Sequence, residues 1–132
     1  MKGYKNGRPY TSPSQGVFED GALLTDEPQE IQEAVLAWIK KQIKPGKKAL
    51  ISYSSYGIKH ILQGDTGIYL SNNAMKDAML MAGFEPVDPE EGNWHYCMSL
   101  KSKAFDRKSR LGMKRAEPHP AQVKRWEAVS NG

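Results

Sequence analysis

The chain has 132 residues, 39% of them apolar, enough to fill one modest core and hardly two, so a single small α+β domain with appendages is expected. It contains no run of eighteen apolar residues, and the opening MKGYKNGRPY lacks the apolar middle of a secretory signal, so no membrane partner is expected and the cytoplasm is the expected compartment. The single cysteine, Cys97, cannot form an internal disulfide, and with so few histidines it anchors no zinc site. The net charge of +4 hides an asymmetry: residues 1–100 hold 10 Lys/Arg against 12 Asp/Glu, whereas residues 101–132 hold 9 against 3. A basic arm of that kind meets phosphate or an acidic protein surface, or merely keeps the chain solvated.

In chain order, residues 1–24 carry glycines and prolines among polar side chains and read as a flexible arm. Lys2, Tyr4, Lys5, Arg8 and Tyr10 suit a nucleic acid backbone, and Phe18, Leu23 and Leu24 suit pinning the arm to the core; a frayed terminus is the other reading. Thr25-Asp-Glu-Pro then supplies a cap, acidic first-turn residues and a tolerated proline. Ile31, Ala34, Val35, Trp38, Ile39 and Ile43 follow at helical spacing, with Trp38 a packed anchor, until Pro45-Gly46 ends the helix. Lys48–Ser52 is a strand candidate.

Two helices come next. Ser54 or Ser55 caps the first and Gly64 closes it, with Ile58, Ile61 and Leu62 facing inward. After a turn from Gly64 to Leu70, Ser71 caps the second, which Gly83 and Pro86 terminate. Its Met75, Ala78, Met79 and Ala82 form an apolar face, for the core or, at Met75 and Met79, across a homodimer. Phe84–Val87 and Trp94–Ser99 read as strands around an Asp88–Asn93 loop, with Cys97 a small buried strand residue. Helix, strand, helix, helix, β-hairpin over residues 25–100 is the order of a winged helix-turn-helix, in which the third helix reads a duplex groove and the hairpin is the wing. A rival is a small α+β domain whose hairpin pairs with the Ala49–Ser52 strand.

Chemistry-bearing residues fall in three groups. On the third helix, Asn72, Asn73 and Lys76 point away from the Met75/Met79 face; Asn bonds adenine through two edges and Lys reaches guanine or phosphate. At the start of the preceding helix, Ser55, Tyr56 and Lys59, beside Ser54 and His60, suit one backbone phosphate, although capping and packing also account for them. In the tail, residues 101–132, Lys101, Lys103, Arg107, Lys108, Arg110, Lys114 and Arg115 bind phosphate without needing sequence, and a helix over Pro120–Val129 would let Val123 and Trp126 dock. Against these stand Glu85, Asp88, Glu90 and Glu91 around the wing, where a DNA-touching wing is ordinarily basic; they suit a basic groove on a protein. Asp65-Thr66-Gly67 matches one half of an aspartic protease pair but reads as a turn, and Cys97 with His60 or His95 has no supporting signature. No catalytic residue, metal or cofactor is therefore expected, and the chain is read as non-catalytic.

At SYGIKHILQ, DTGIYLSNN, AMLMAGFEPV and NWHYCMS, between about Ile31 and Phe105, the chain resembles a set of small proteins carried by bacteriophages, prophages and mobile elements of Gram-positive bacteria. The resemblance implies an accessory phage gene acting in a bacterial host cell. Such genes commonly encode DNA-binding regulators, or antagonists of host defence such as anti-CRISPR proteins that block a nucleoprotein complex.

Overall fold

In the computed structural model, Ile31, Val35, Trp38 and Ile39 are buried at intervals of four, three and one residues, as an amphipathic helix requires. They belong to α1, Gln29–Gln42, with Glu30 in its first turn and Lys40 and Lys41 in its last, each sign at the end where the helix dipole favours it. The structure describes residues 23–106, 108, 112 and 114–123, together with the backbone of Tyr4–Lys5 and Arg8–Pro9. The expected Thr25 cap is displaced: Leu24–Asp26 form a separate 3-10 turn closed by the Asp26 carboxylate on the Leu23 amide at 2.7 Å, and Pro28 precedes α1.

The arm is not all loop. Strands β1, Tyr4–Lys5, and β2, Arg8–Pro9, pair antiparallel, and β2 lies against α3, Asn72–Met81. Lys2, Tyr10 and Phe18 lie outside the described residues. Between α1 and α3 come β3, Pro45–Leu50, and α2, Ser55–Thr66; β4, Tyr96–Met98, follows α3. The second sheet is β3 with β4, antiparallel, Leu50 opposite Tyr96 and Ala49 opposite Cys97, with a register shift before Pro45 meets Met98. The architecture is α+β.

Three expected boundaries move. Helix α2 runs through Gly64 to Thr66, and Gly67, at φ 76°, is the left-handed cap. Its Asp-Thr-Gly run is used up in ending the helix: Thr66 Oγ1 donates to the Leu62 carbonyl at 2.8 Å and accepts from the Ile68 amide at 3.1 Å, and Asp65 accepts from Trp38 Nε1 at 2.9 Å. Pro45-Gly46, expected to stop α1, instead opens β3, which ends at Leu50 and not at Ser52; α3 stops where expected, before the left-handed Gly83 at φ 95°, the amides of Gly83 and Phe84 donating to Leu80 and Met79. The expected hairpin shrinks to one bond, Val87 N–H to the His95 carbonyl at 2.9 Å; Pro86 and Pro89 remove the donors that a longer ladder needs, and β4 pairs with β3 instead. Tyr96 and Met98 point inward on β4, so Cys97 is exposed, not buried.

The core gathers α1, α2, α3 and β4 around Ile58, Leu62, Met75, Met79, Trp94 and Tyr96, all fully buried. Met75 and Met79 are thus enclosed within one chain. Core residues continue past residue 100: Phe105 stacks on Tyr53 with centroids 4.1 Å apart, and Ser102 Oγ accepts from the Lys44 amide at 2.8 Å. Among the described residues no helix is long and apolar enough to cross a membrane.

Candidate nucleic-acid interface

Ser54 caps α2 by accepting from the Gly57 amide, which leaves the neighbouring Ser55 for another task. Ser55 is fully buried; its hydroxyl donates to Asn72 Oδ1 at 2.8 Å and accepts from the Trp94 amide at 3.0 Å, while its own amide donates to the Trp94 carbonyl at 2.7 Å. Asn72 completes the junction, donating from Nδ2 to Asn93 Oδ1 at 2.8 Å and to the Gly92 carbonyl at 3.1 Å. Both residues, expected at a ligand, join the start of α2, the start of α3 and the entry to β4. Ser55→Ala strands a buried amide and is expected to cost about 1–3 kcal/mol in urea unfolding. A smaller loss would mean that the junction is held elsewhere.

Asn73 and Lys76, expected on an outward face of α3, are also buried, and so are their helix neighbours through Met79. Lys76 Nζ lies 5.1 Å above the Trp94 ring, and Asp77 accepts from the Leu24 amide at 2.9 Å. Periodicity missed this because α3 is covered by segments distant in sequence: Leu24, β2 and Trp94. As the chain is folded here, α3 offers no row of exposed side chains for a groove.

The exposed chemistry is on α2. Tyr56 and His60, four residues apart, share a face, and their rings meet edge to face with centroids 4.5 Å apart. Gly64, four residues further on, has no side chain, and the Arg115 guanidinium lies over it, Nη1 standing 3.6 Å from where a Cβ would be. Lys59 reaches between two tyrosines, its Nζ 5.4 Å from the Tyr56 centroid and 4.8 Å from that of Tyr69. Lys59 is only 7% exposed, whereas Tyr56 and Tyr69 are 50% and 45% exposed. Burial lowers the Lys59 ammonium from its ordinary value. His60 is lowered as well, by burial first and then by the positive charges of Lys59 and Arg115, so the cluster behaves as a local excess of positive charge.

Arg115 reaches this cluster because the basic segment is tied down. Ala116 N–H donates to the Gly64 carbonyl at 2.9 Å and His119 N–H to the Gly67 carbonyl at 3.0 Å. Gln122, 2% exposed, accepts from the Tyr69 amide at 2.8 Å and donates to the Tyr69 carbonyl at 2.7 Å and to Glu27 at 2.6 Å. Lys114 and Arg115 are therefore held along the C-terminal half of α2, while Lys101 and Lys103, also exposed, precede and open the turn whose Phe105 stacks on Tyr53, just before α2. Lys108 is exposed; Arg107, Arg110 and Trp126 lie outside the described residues, and the expected Pro120–Val129 helix is described only to Val123. The sequence marks Tyr56, Lys59 and Arg115 as site residues but carries no such sign for Tyr69 and Gln122. The spacing Tyr56, His60, Gly64 was the available signal.

Among the described residues Cys97 and the histidines do not come together as a catalytic pair: His95 Nδ1 lies 3.3 Å from Glu91 and His60 against Tyr56. Nor, among the described residues, do three His, Cys, Asp or Glu side chains gather closely enough to hold a metal ion. Comparison with protein-family models, with curated proteins and with solved structures finds no match to this chain, so the reading of the site rests on its own residues.

Proposed function

We propose that the protein binds nucleic acid without transforming it, as a phage-type accessory factor with a winged-helix-like order of elements, and that its contact surface is α2 with the adjoining basic segment. The observation that carries the reading is the convergence of Lys59, His60 and Arg115 with two half-exposed tyrosines on one helix and the loop after it. A lysine and an arginine with an imidazole between them, beside open aromatic rings, are what phosphates and bases together call for. The winged-helix order finds support in β3 pairing with β4 across α2 and α3, and the contact is moved from α3 to α2 because α3 is enclosed.

The test is a salt-titrated binding assay of the full chain with fluorescent mixed-sequence probes. Affinity is expected to fall log-linearly with salt, and the double variant Lys114→Gln/Arg115→Gln to lower the slope by roughly 1.4–1.8, about 0.7–0.9 for each phosphate no longer neutralised. A flat salt response, or no binding at low salt, contradicts the proposal.

A second reading, an anti-CRISPR-like antagonist that docks on a host nucleoprotein complex, draws on another surface. An open, mainly apolar groove of about 390 Å³ between Leu36, Ile43, Pro45, Met81 and Phe84, with Lys40 also on its lining, runs up to the loop bearing exposed Glu85, Asp88 and Glu90. Apolar surface bordered by acid suits a basic protein partner. Salt-insensitive capture of such a complex by a chain that binds no probe would favour it.

A further inference from the structure

Resting on the nucleic-acid reading, we infer that the α2 surface is a site for single-stranded nucleic acid, in which bases stack on Tyr56 and Tyr69 and a backbone phosphate sits among Lys59, His60 and Arg115. Both rings are about half open to solvent although they share one lysine and Tyr56 also meets the His60 ring edge to face, so ring surface is left on each for a base to cover. A duplex keeps its bases stacked on one another and presents phosphate and sugar to such rings, which would then add little. Unpaired bases offer their π-faces. The element that would have to enter a duplex groove, α3, keeps Asn73 and Lys76 inside the core. Beside Tyr56, among the described residues and apart from the adjoining helix backbone, nothing lies within 4 Å of where a side chain on Gly57 would begin, which leaves room for a sugar-phosphate backbone to come close to α2.

The cluster also carries a proton signature. His60 faces Lys59 and Tyr56 on its own helix and Arg115 from the neighbouring segment, and in the free protein its partial burial and those two cations lower it from its ordinary value. A phosphate among the three groups reverses the field and raises His60. The complex then takes up a proton in the window between the free and bound values, so affinity rises as pH falls, by at most about tenfold per pH unit for one proton.

Anisotropy titrations at fixed salt with oligo-dT, oligo-rU and a dA·dT duplex, each of about 15 nucleotides per strand, test the site with the full chain. Either single strand is expected to bind more tightly than the duplex, and the two homopolymers separate DNA from RNA. Tyr56→Leu and Tyr69→Leu are each expected to weaken single-strand binding by about 5- to 150-fold with the salt slope unchanged, and Tyr56→Phe to restore it. Because uracil and thymine do not titrate between about pH 8 and about pH 6, tightening over that range that is lost in His60→Gln reports the phosphate position. Equal or tighter duplex binding, or no loss in the leucine variants, overturns the single-strand site while leaving a salt-dependent nucleic acid binder standing. No binding by any probe overturns both.

Discussion

Replacing Trp94 with alanine is expected to remove about 3–5 kcal/mol of stability, much of what a domain of this size possesses. Trp94 is fully buried, its Nε1 donates to the Pro89 carbonyl at 3.1 Å, and its ring carries the Lys76 ammonium. Deleting the ring opens a cavity among α3 and β4 and leaves that cation without its aromatic face. Trp94→Phe, which keeps a ring but not the Nε1 bond, is expected to fall between the two. Urea unfolding with an unchanged m-value is the readout, and a loss below about 1 kcal/mol for the alanine variant would contradict the packing described.

The second large effect is at Gly67. Its φ of 76° costs any L side chain about 1–2 kcal/mol, and a Cβ there would lie 1.8 Å from the Glu117 carbonyl oxygen. Gly67→Ala is therefore expected to destabilise the chain and also to lift residues 114–119 from α2, breaking the bonds from Ala116 and His119 and carrying Arg115 away from His60. Loss of amide-exchange protection at Ala116 and His119, with weakened probe binding, is the expected result. Gly57→Ala is the control in the opposite direction: among the described residues the space beside it is open, it lies within α2, and a gain of about 0.5–1 kcal/mol is expected. If the two alanine variants behaved alike, the close approach of the basic segment to α2 would be wrong.

A third glycine of α2, Gly64, marks how far the sequence could be read. Local signals were sound where local physics decides: the apolar spacing of α1, the Ser54 and Ser71 caps and the inward Ile58, Leu62, Met75 and Met79 all appear in the structure. Gly64 was misread as a helix end because a glycine within a helix and a glycine after it look alike in sequence; only the chain lying over it, Arg115 and Ala116, distinguishes them. The face of α3 was misread for a related reason. Asn73, Lys76 and Asp77 have outward chemistry and an inward setting made by Leu24, Trp94 and β2, none of which a helical wheel includes. Cys97 could have been placed from alternation alone, since Tyr96 and Met98 beside it compete for the core. In the site, Tyr56, Lys59 and Arg115 were legible as residue types, but their convergence with Tyr69 depends on Gln122, a single buried amide that clamps the loop after α2.

The most direct measurement is photocrosslinking of the full chain to an oligonucleotide of 5-iodouracil, followed by peptide mass spectrometry. Stacked aromatic side chains crosslink most readily, so adducts are expected at Tyr56 and Tyr69 and to diminish with added salt. Adducts confined to other tyrosines or to the tryptophans, or none under conditions where binding is saturated, would contradict a nucleic-acid surface on α2.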